Sequence, residues 1–223
     1  MTRRVTHVSP PMTYRGVSTG LIVHGRRIGS PGAPTTVTVN GISGEATAFS
    51  ERLLTGVLSA EQTAVVGESD VIVVPPGDDT EPPGDTCPPP PIIIVDPTTP
   101  EEALKVFSPQ VGADVKNFVD EAQDKVDQFI QRAVDAPTRD AVATEAETIK
   151  LEISSAKTVV ITTLEQQREA ALQVVRALGG SDNHIRVIKV LAEKGRQAIR
   201  EHTEAAKSAV GETAGEIKRL KPS

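Results

Sequence analysis

The sequence predicts a mostly α-helical, elongated protein with a small β-rich N-terminal head, a proline-rich neck and a parallel coiled-coil stalk. Three observations predict this fold class. Short β-branched runs and glycines fill residues 1–74, prolines crowd residues 75–100, and a heptad repeat runs from 142 to 177. Only 2% of the 223 residues are aromatic and 38% are hydrophobic, which disfavours one large globular core.

Residues 1–74 are predicted to form a small docking head of short strands. Thr35 to Val39 alternate polar and β-branched side chains and run into Asn40-Gly41, a strong hairpin-turn signal. Residues 20–23 and 70–74 are further strand candidates. One short helix is predicted between them from the spacing of Phe49, Leu53, Val57 and Ala60. A sheet this small should be stabilised against copies of itself or another surface.

The neck, residues 75–100, is rich in proline, which fixes φ and removes a hydrogen-bond donor. We therefore expect a stiff, extended spacer. Ile92 to Val95 interrupts it with four β-branched residues, which we expect to pair as a strand with the head or with a neighbouring chain. Cys87 is the only cysteine, which leaves two alternatives: an unpaired thiol or a disulfide between identical chains.

Helix-forming residues dominate after the neck. Thr99-Pro100-Glu101-Glu102 contains the N-cap, first-position proline and third-position glutamate of a helix start. Pro137 ends this helix, and Gly179-Gly180 ends the next one. The three predicted helices span 101–136, 138–178 and 181–220. The glycine pair leaves two alternatives for the last helix, a hairpin that folds it back or a joint through which the stalk continues.

The heptad repeat carries the prediction of a stalk. Eleven positions alternate in steps of four and three residues, and only Thr163 and Gln167 among them are polar. The predicted oligomer core consists of Val142, Ala146, Ile149, Ile153, Ala156, Val160, Thr163, Gln167, Ala170, Val174 and Ala177. In a parallel coil, the flanking charges would form interchain pairs, Glu145 with Lys150 and Glu152 with Lys157. Apolar residues beside the repeat widen the stripe, which favours a trimer or a helix folded back.

Motifs for catalysis, cofactors or metals are not found in the sequence. Four histidines are scattered along it, at His7, His24, His184 and His202, and there is no HExxH or CxxC spacing. Because Gly25-Arg26-Arg27 follows His24, we expect an exposed basic hairpin loop there. We therefore expect no enzyme activity, no cofactor and no metal.

Charge and hydropathy narrow the choice of partners. A net charge of −6 disfavours nucleic acid, since phosphate binding needs clustered Lys and Arg. No stretch approaches the ~20 apolar residues of a membrane span, and no apolar run of signal-peptide length follows the N-terminal arginines. We expect a chain made in the cytoplasm that binds no membrane.

The proline-rich residues 75–100 and the heptads of 142–177 together give an architecture that resembles fibrous accessory virion proteins of tailed bacteriophages, such as head fibres, collar whiskers and decoration fibres. The resemblance implies a homotrimeric structural protein of the capsid, neck or tail that docks on other virion proteins through residues 1–100. Two alternatives are an amphipathic helical surface coat similar to phasins or apolipoproteins, and an internal assembly scaffold. Narrow, alanine-rich stripes disfavour the coat, and the proline neck disfavours the scaffold.

Overall fold

A computed structural model describes residues 4–74 and 91–222 of the chain. Cys87 and most of the predicted neck lie outside these residues. Three long helices fill the C-terminal part. They are α1 (Pro100–Asp135), α2 (Arg139–Ala177) and α3 (Asp182–Arg219). Among the described residues, no helix combines the length and the apolar run that crossing a membrane would take.

The helices form an up-down-up bundle in which each helix packs on the other two. His184, near the start of α3, contacts Glu101 at the start of α1, with 2.9 Å between Nε2 and Oε1. At the other end, the Arg139 backbone N–H donates to the Pro222 carbonyl at 3.3 Å. The first and third helices therefore run in the same direction, and α2 runs opposite to both.

The N-terminal part forms two sheets. Their strands are β1 (Arg4–Ser9), β2 (Met12–Tyr14), β3 (Thr19–Arg26), β4 (Pro34–Val39), β5 (Ile42–Ala48), β6 (Leu53–Leu58), β7 (Gly67–Ser69), β8 (Val71–Val74) and β9 (Ile92–Val95). The larger sheet is an antiparallel half-barrel in the order β1-β3-β6-β5-β4-β8. In the smaller one, β9 lies between β2, which is parallel to it, and β7, which is antiparallel. Ile92 and Ile94 of β9 pack into the half-barrel's core.

Strand β3 joins the two parts of the molecule because both of its faces are buried. Successive side chains of a strand point to opposite faces. Leu21 and Val23 therefore pack inside the half-barrel, whereas Ile22 packs into the core of the helical bundle together with Leu53 of β6. The half-barrel therefore packs on α1 and α2 through the face that carries Ile22.

The predicted elongated fold, a small β-rich head on a parallel coiled-coil stalk, is wrong: the described residues form a large β region of two sheets that packs on a three-helix bundle. The heptad repeat of α2 is covered by α1 and α3 of the same chain. A repeat of four and three residues shows that one face of a helix is buried, and antiparallel bundles share this spacing with coiled coils. The repeat therefore says nothing about which chain covers it. Of the two alternatives at Gly179-Gly180, the structure contains the hairpin, and Gly179 adopts a φ of 73° there.

The turn, helix-cap and short-helix predictions made from local sequence signals are partly confirmed and partly wrong. The Asn40-Gly41 turn is confirmed, since both residues have positive φ and Val39 pairs with Ile42. The N-cap is confirmed as well, because the Glu102 backbone N–H donates to Thr99 Oγ1 at 3.2 Å. The short helix predicted across 49–60 is wrong. Two of its four apolar residues, Leu53 and Val57, belong to β6, where both faces carry apolar side chains, so that apolar residues occur at odd and even positions alike.

Candidate functional site

The eleven predicted core positions lie along one face of α2. Those from Val142 to Ala170 are all buried, whereas Val174 is half-buried and Ala177 is exposed. The apolar ones among the buried positions share a core with α1 and α3. The two polar positions, Thr163 and Gln167, instead approach the β half: the Gln167 side-chain amide lies 3.4 Å from the Gly20 carbonyl oxygen, and the Thr163 hydroxyl 3.4 Å from that of Thr55.

The predicted interchain charge pairs find partners within the chain. Glu145 lies 3.6 Å from Arg132 of α1, and Lys150 lies 2.9 Å from Glu147 on its own helix. Glu152 lies 2.7 Å from the ammonium of Lys125 on α1. Lys157 is half-buried on α2. These charges therefore join or flank the helices of one chain.

A buried polar stripe on α1 faces the β half. It consists of Gln110, Asp114, Asn117 and Glu121, which are at most 1% exposed. Their spacing of four, three and four residues places them on one side of the helix. At its upper end, the Gln110 amide donates to the Met12 carbonyl at 2.7 Å. A buried polar stripe therefore lies between α1 and the β half, beside the apolar contacts that Ile22 and Leu53 make with the helical bundle.

Asp114 occupies the middle of this stripe. Its Oδ1 accepts from the Ser9 hydroxyl at 2.5 Å and from the Gln167 amide at 3.3 Å. Its Oδ2 has no partner in the described part of the chain. Burial raises the pKa of Asp114 to about 7, although both hydrogen bonds act in the opposite direction. One carboxyl oxygen thus connects β1, α1 and α2.

At the lower end of the stripe, His24 of β3 meets two carboxylates of α1. Its Nε2 lies 3.5 Å from Glu121 Oε2 and 3.7 Å from Asp124 Oδ2. Arg52 pairs with Asp124, and the Ser50 hydroxyl donates to Glu121 Oε1 at 3.2 Å. The exposed basic loop was wrongly predicted to include His24, since this residue lies inside β3 and is 7% exposed, whereas Arg26 and Arg27 beyond it are exposed.

His7 lies beside this cluster, with its ring centroid 6.0 Å from that of His24. Its Nε2 is directed toward Asp120 Oδ2 at 3.0 Å and toward the Lys116 ammonium. Burial and the charge of Lys116 lower the pKa of His7, while Asp120 acts in the opposite direction. Because its Nε2 is engaged there, His7 is a neighbour of the cluster and not a member of it.

A groove of about 810 Å³ runs beside the cluster, between the loop before β6 and helices α1 and α2. Ser50, Arg52 and Lys125 line it and also contact Glu121 or Asp124. The groove therefore carries charges of both signs. It lies next to this cluster of histidine and carboxylate side chains, which are types of side chain that bind metal ions.

The far side of the half-barrel carries a different surface, which we call the β8 face. It contains Thr36, Thr38, Ser43, Glu45, Ile72 and Val74. Two cross-strand rows form it, Glu45–Thr36–Val74 and Ser43–Thr38–Ile72. Ile72 is 54% exposed, and β8 is an edge strand whose hydrogen-bonded neighbour among the described residues is β4 alone. This surface is rich in hydroxyl and β-branched side chains, with a single carboxylate.

The His24 cluster was not predicted from the sequence because its members come from a strand and a helix far apart in the chain. One usable signal was present. Gln110, Asp114, Asn117 and Glu121 repeat at heptad spacing beside an apolar stripe, which indicates a second packed face on α1.

Comparisons with protein-family models, with curated proteins and with solved structures find no match for this chain.

Proposed function

We propose that this chain is a non-catalytic structural protein that docks on a larger particle through the β8 face, as an accessory virion protein does. The observation that carries the proposal is β8, which is an edge strand among the described residues and has Ile72 and Val74 exposed on its outer side. Unpaired peptide groups along an edge strand are a template for another strand. Because the helices and sheets pack into a compact body, the proposal does not include the fibre that the sequence predicted.

The proposed occupant of this edge is an extended segment of a partner protein in the particle. Such a segment would continue the sheet by hydrogen bonding to β8, while its side chains contact Ile72 and the neighbouring threonines. Lys and inward-facing charges, which normally protect edge strands from pairing, are lacking on β8 itself. The β8 face carries the carboxylate of Glu45 alone, so an apolar or hydroxyl-rich segment fits it best.

Sheet order supports docking by this edge and not by the opposite one. Strands β5 and β4 separate β8 from β6, which packs toward the helices. Docking at β8 therefore leaves the bundle free of the contact. Edge strand β1, in contrast, lies against α1, where Ser9 is bonded to Asp114.

Binding of purified chain to particles assembled without it tests the proposal. Quantitative mass spectrometry counts the bound copies. We expect a fixed copy number for the wild type and at least a tenfold loss of affinity for Ile72→Lys, because the new charge lies against the added strand. The control Val187→Lys changes a residue of α3 with similar exposure, 43%, and should bind as the wild type does.

Equal binding of Ile72→Lys and the wild type would show that the β8 face is not the docking surface. The same measurement distinguishes docking from the internal-scaffold alternative, because a scaffold leaves the particle and would not be counted in the mature one. A surface coat would require the bundle to open, since Phe118 and Ile199 are fully buried in it, and vesicle flotation tests that function. The homotrimer stays a prediction, which light scattering on the full chain measures.

A further inference from the structure

We propose that His24, Glu121 and Asp124 bind one divalent transition metal ion, Zn²⁺ or Mn²⁺, between β3 and α1. One imidazole nitrogen and two carboxylates form a donor set that suits these ions. One candidate ligand atom from each residue lies within 4.8 Å of the other two. The inference is independent of the docking proposal, because the cluster lies at the interface with α1 and not on the β8 face.

The separations match metal coordination better than direct hydrogen bonding. Two ligands placed about 2.1 Å from a tetrahedral zinc ion lie about 3.4 Å apart. His24 Nε2 lies 3.5 Å from Glu121 Oε2 and 3.7 Å from Asp124 Oδ2. Neither Nε2 of His24 nor Oε2 of Glu121 makes a hydrogen bond to any described residue, although both atoms are buried. An unpartnered buried carboxylate oxygen is costly, and a cation between the two atoms removes that cost.

Thr6 determines which nitrogen of His24 is available. Its hydroxyl donates to the His24 backbone carbonyl at 3.0 Å, so its single proton is already used. Both contacts of Thr6 Oγ1 are hydrogen bonds at once when Nδ1–H of His24 is the donor of the second one, at 3.2 Å. In the neutral ring, Nε2 therefore bears the lone pair and is directed at the two carboxylates. This is the tautomer that a metal ligand needs, held by a hydrogen bond to the other nitrogen.

His184 provides the contrast within the same chain. Its Nδ1 accepts from the Ser181 backbone N–H at 3.0 Å, so Nε2 bears the proton of the neutral ring. That proton is donated to Glu101 at 2.9 Å, an ordinary hydrogen-bond distance. A histidine and a carboxylate thus form a direct bond at His184, whereas at His24 the nitrogen lone pair faces the carboxylates across a gap.

The carboxylates are oriented by groups around them. Ser50 donates to Oε1 of Glu121 at 3.2 Å, which leaves Oε2 for the ion. Lys125 lies 3.8 Å from Glu121 but only 2.7 Å from Glu152, which balances its charge. Arg52 competes directly, since it pairs with Asp124. With Arg52 counted, the cluster retains one net negative charge when His24 is neutral, and a divalent ion reverses that sign.

Titration calorimetry on the full chain, freed of metal by a chelator, tests the inference with ZnCl₂ and MnCl₂ as probes. We expect one ion per chain for at least one of the two metals. We expect His24→Gln to lose at least about 100-fold in affinity and Thr6→Val to lose about tenfold, because Thr6 acts through the tautomer of His24. The matched control His184→Gln should bind as the wild type does.

A second variant gives a change of opposite sign. Arg52→Gln removes the competitor for Asp124, so its metal affinity should rise above that of the wild type. If the ion is bound, the thermal midpoint of the wild type should also rise by roughly 5–10 °C at a metal concentration a hundred times Kd. The visible absorption spectrum of Co²⁺ bound in place of zinc reports the coordination geometry. Absence of saturable binding by either metal, or equal affinity in His24→Gln with an unchanged circular dichroism spectrum, would overturn the proposal.

Discussion

Helix α1 packs on two partners with opposite chemistry. Toward α2 and α3 it presents apolar residues such as Phe118 and Phe129, which are fully buried. Toward the β half it presents Gln110, Asp114 and Glu121, which are buried to the same degree. The apolar interface with α2 and α3, which we call the apolar seam, tolerates small shifts, since burial energy is not directional. The polar interface with the β half, which we call the polar seam, does not tolerate small shifts, because each group needs its own partner at hydrogen-bond distance.

This difference assigns separate roles to the two seams. The apolar seam supplies most of the free energy that holds the chain folded. Desolvation cancels much of the gain from the polar seam, so its effect is to select one orientation of β3 on the helices.

The largest effect is expected in the apolar seam. Ile153 of α2 is fully buried between helices, whereas Leu151 on the same helix is 68% exposed. Ile153→Asp removes apolar contacts and buries an unpaired carboxylate, so the free energy of unfolding should fall by about 5 kcal/mol or more. Leu151→Asp should change it by less than about 0.5 kcal/mol. Urea unfolding followed by circular dichroism measures both.

A loss below about 2 kcal/mol for Ile153→Asp would contradict its place in a packed core. The same variant also distinguishes the structure from the predicted coiled-coil stalk. A stalk made of several chains would dissociate while the half-barrel stays folded. In the compact structure, α2 contacts β3, so we expect the half-barrel to lose structure together with the bundle.

Local signals explain why the helices were largely predictable. Thr99, Pro137 and Gly179-Gly180 act through capping, a missing N–H and a positive φ, and each of these depends on a few neighbouring residues. The buried positions of α2 were predictable for a similar reason, since periodicity is a property of one helix. Which chain covers that face depends on loop geometry and on contacts distant in sequence, so the prediction of a coiled-coil stalk was wrong.

The packing partner of the polar seam was not predictable from one sequence. The heptad spacing of Asp114 and Glu121 indicates a packed face on α1, but it does not identify the strands that meet these carboxylates, β1 at Ser9 and β3 at His24. Gln167 and Thr163 gave a hint, because they are the polar exceptions in the heptad repeat. In the structure both of them contact the β half, so an exception to an apolar repeat marked the place where the packing partner changes.

The pH dependence of stability isolates the polar seam. Burial raises the pKa of Asp114 to about 7 from an ordinary value of 3.8. The folded chain then holds a proton that the unfolded chain has lost, so this contribution is complete below pH 4 and disappears as the pH rises through 7. For Asp114, we expect a loss of roughly 3 kcal/mol between pH 5 and pH 8.

Asp114→Asn provides the control, since an amide has the same shape and does not titrate. The difference in free energy of unfolding between the wild type and this variant cancels the titration of other groups, including His7. Urea midpoints at pH 5, 6, 7 and 8 should show the variant gaining on the wild type as the pH rises. A difference that stays constant with pH would show that Asp114 is ionised in the folded chain throughout this range.

The smallest of the three effects belongs to Gly20, where β3 comes closest to α2. A Cβ at Gly20 would lie 2.8 Å from the Thr163 carbonyl oxygen, a backbone atom that cannot rotate away. Gly20→Ala should therefore push the sheet off the helix and lower the free energy of unfolding by about 1–3 kcal/mol. Gly215 in α3 is the matched control, because a Cβ there meets nothing within 4 Å. Gly215→Ala should stabilise the chain by about 0.5–1 kcal/mol through helix propensity. If both substitutions stabilise the chain, β3 and α2 are not in close contact, and the orientation attributed to the polar seam would be incorrect.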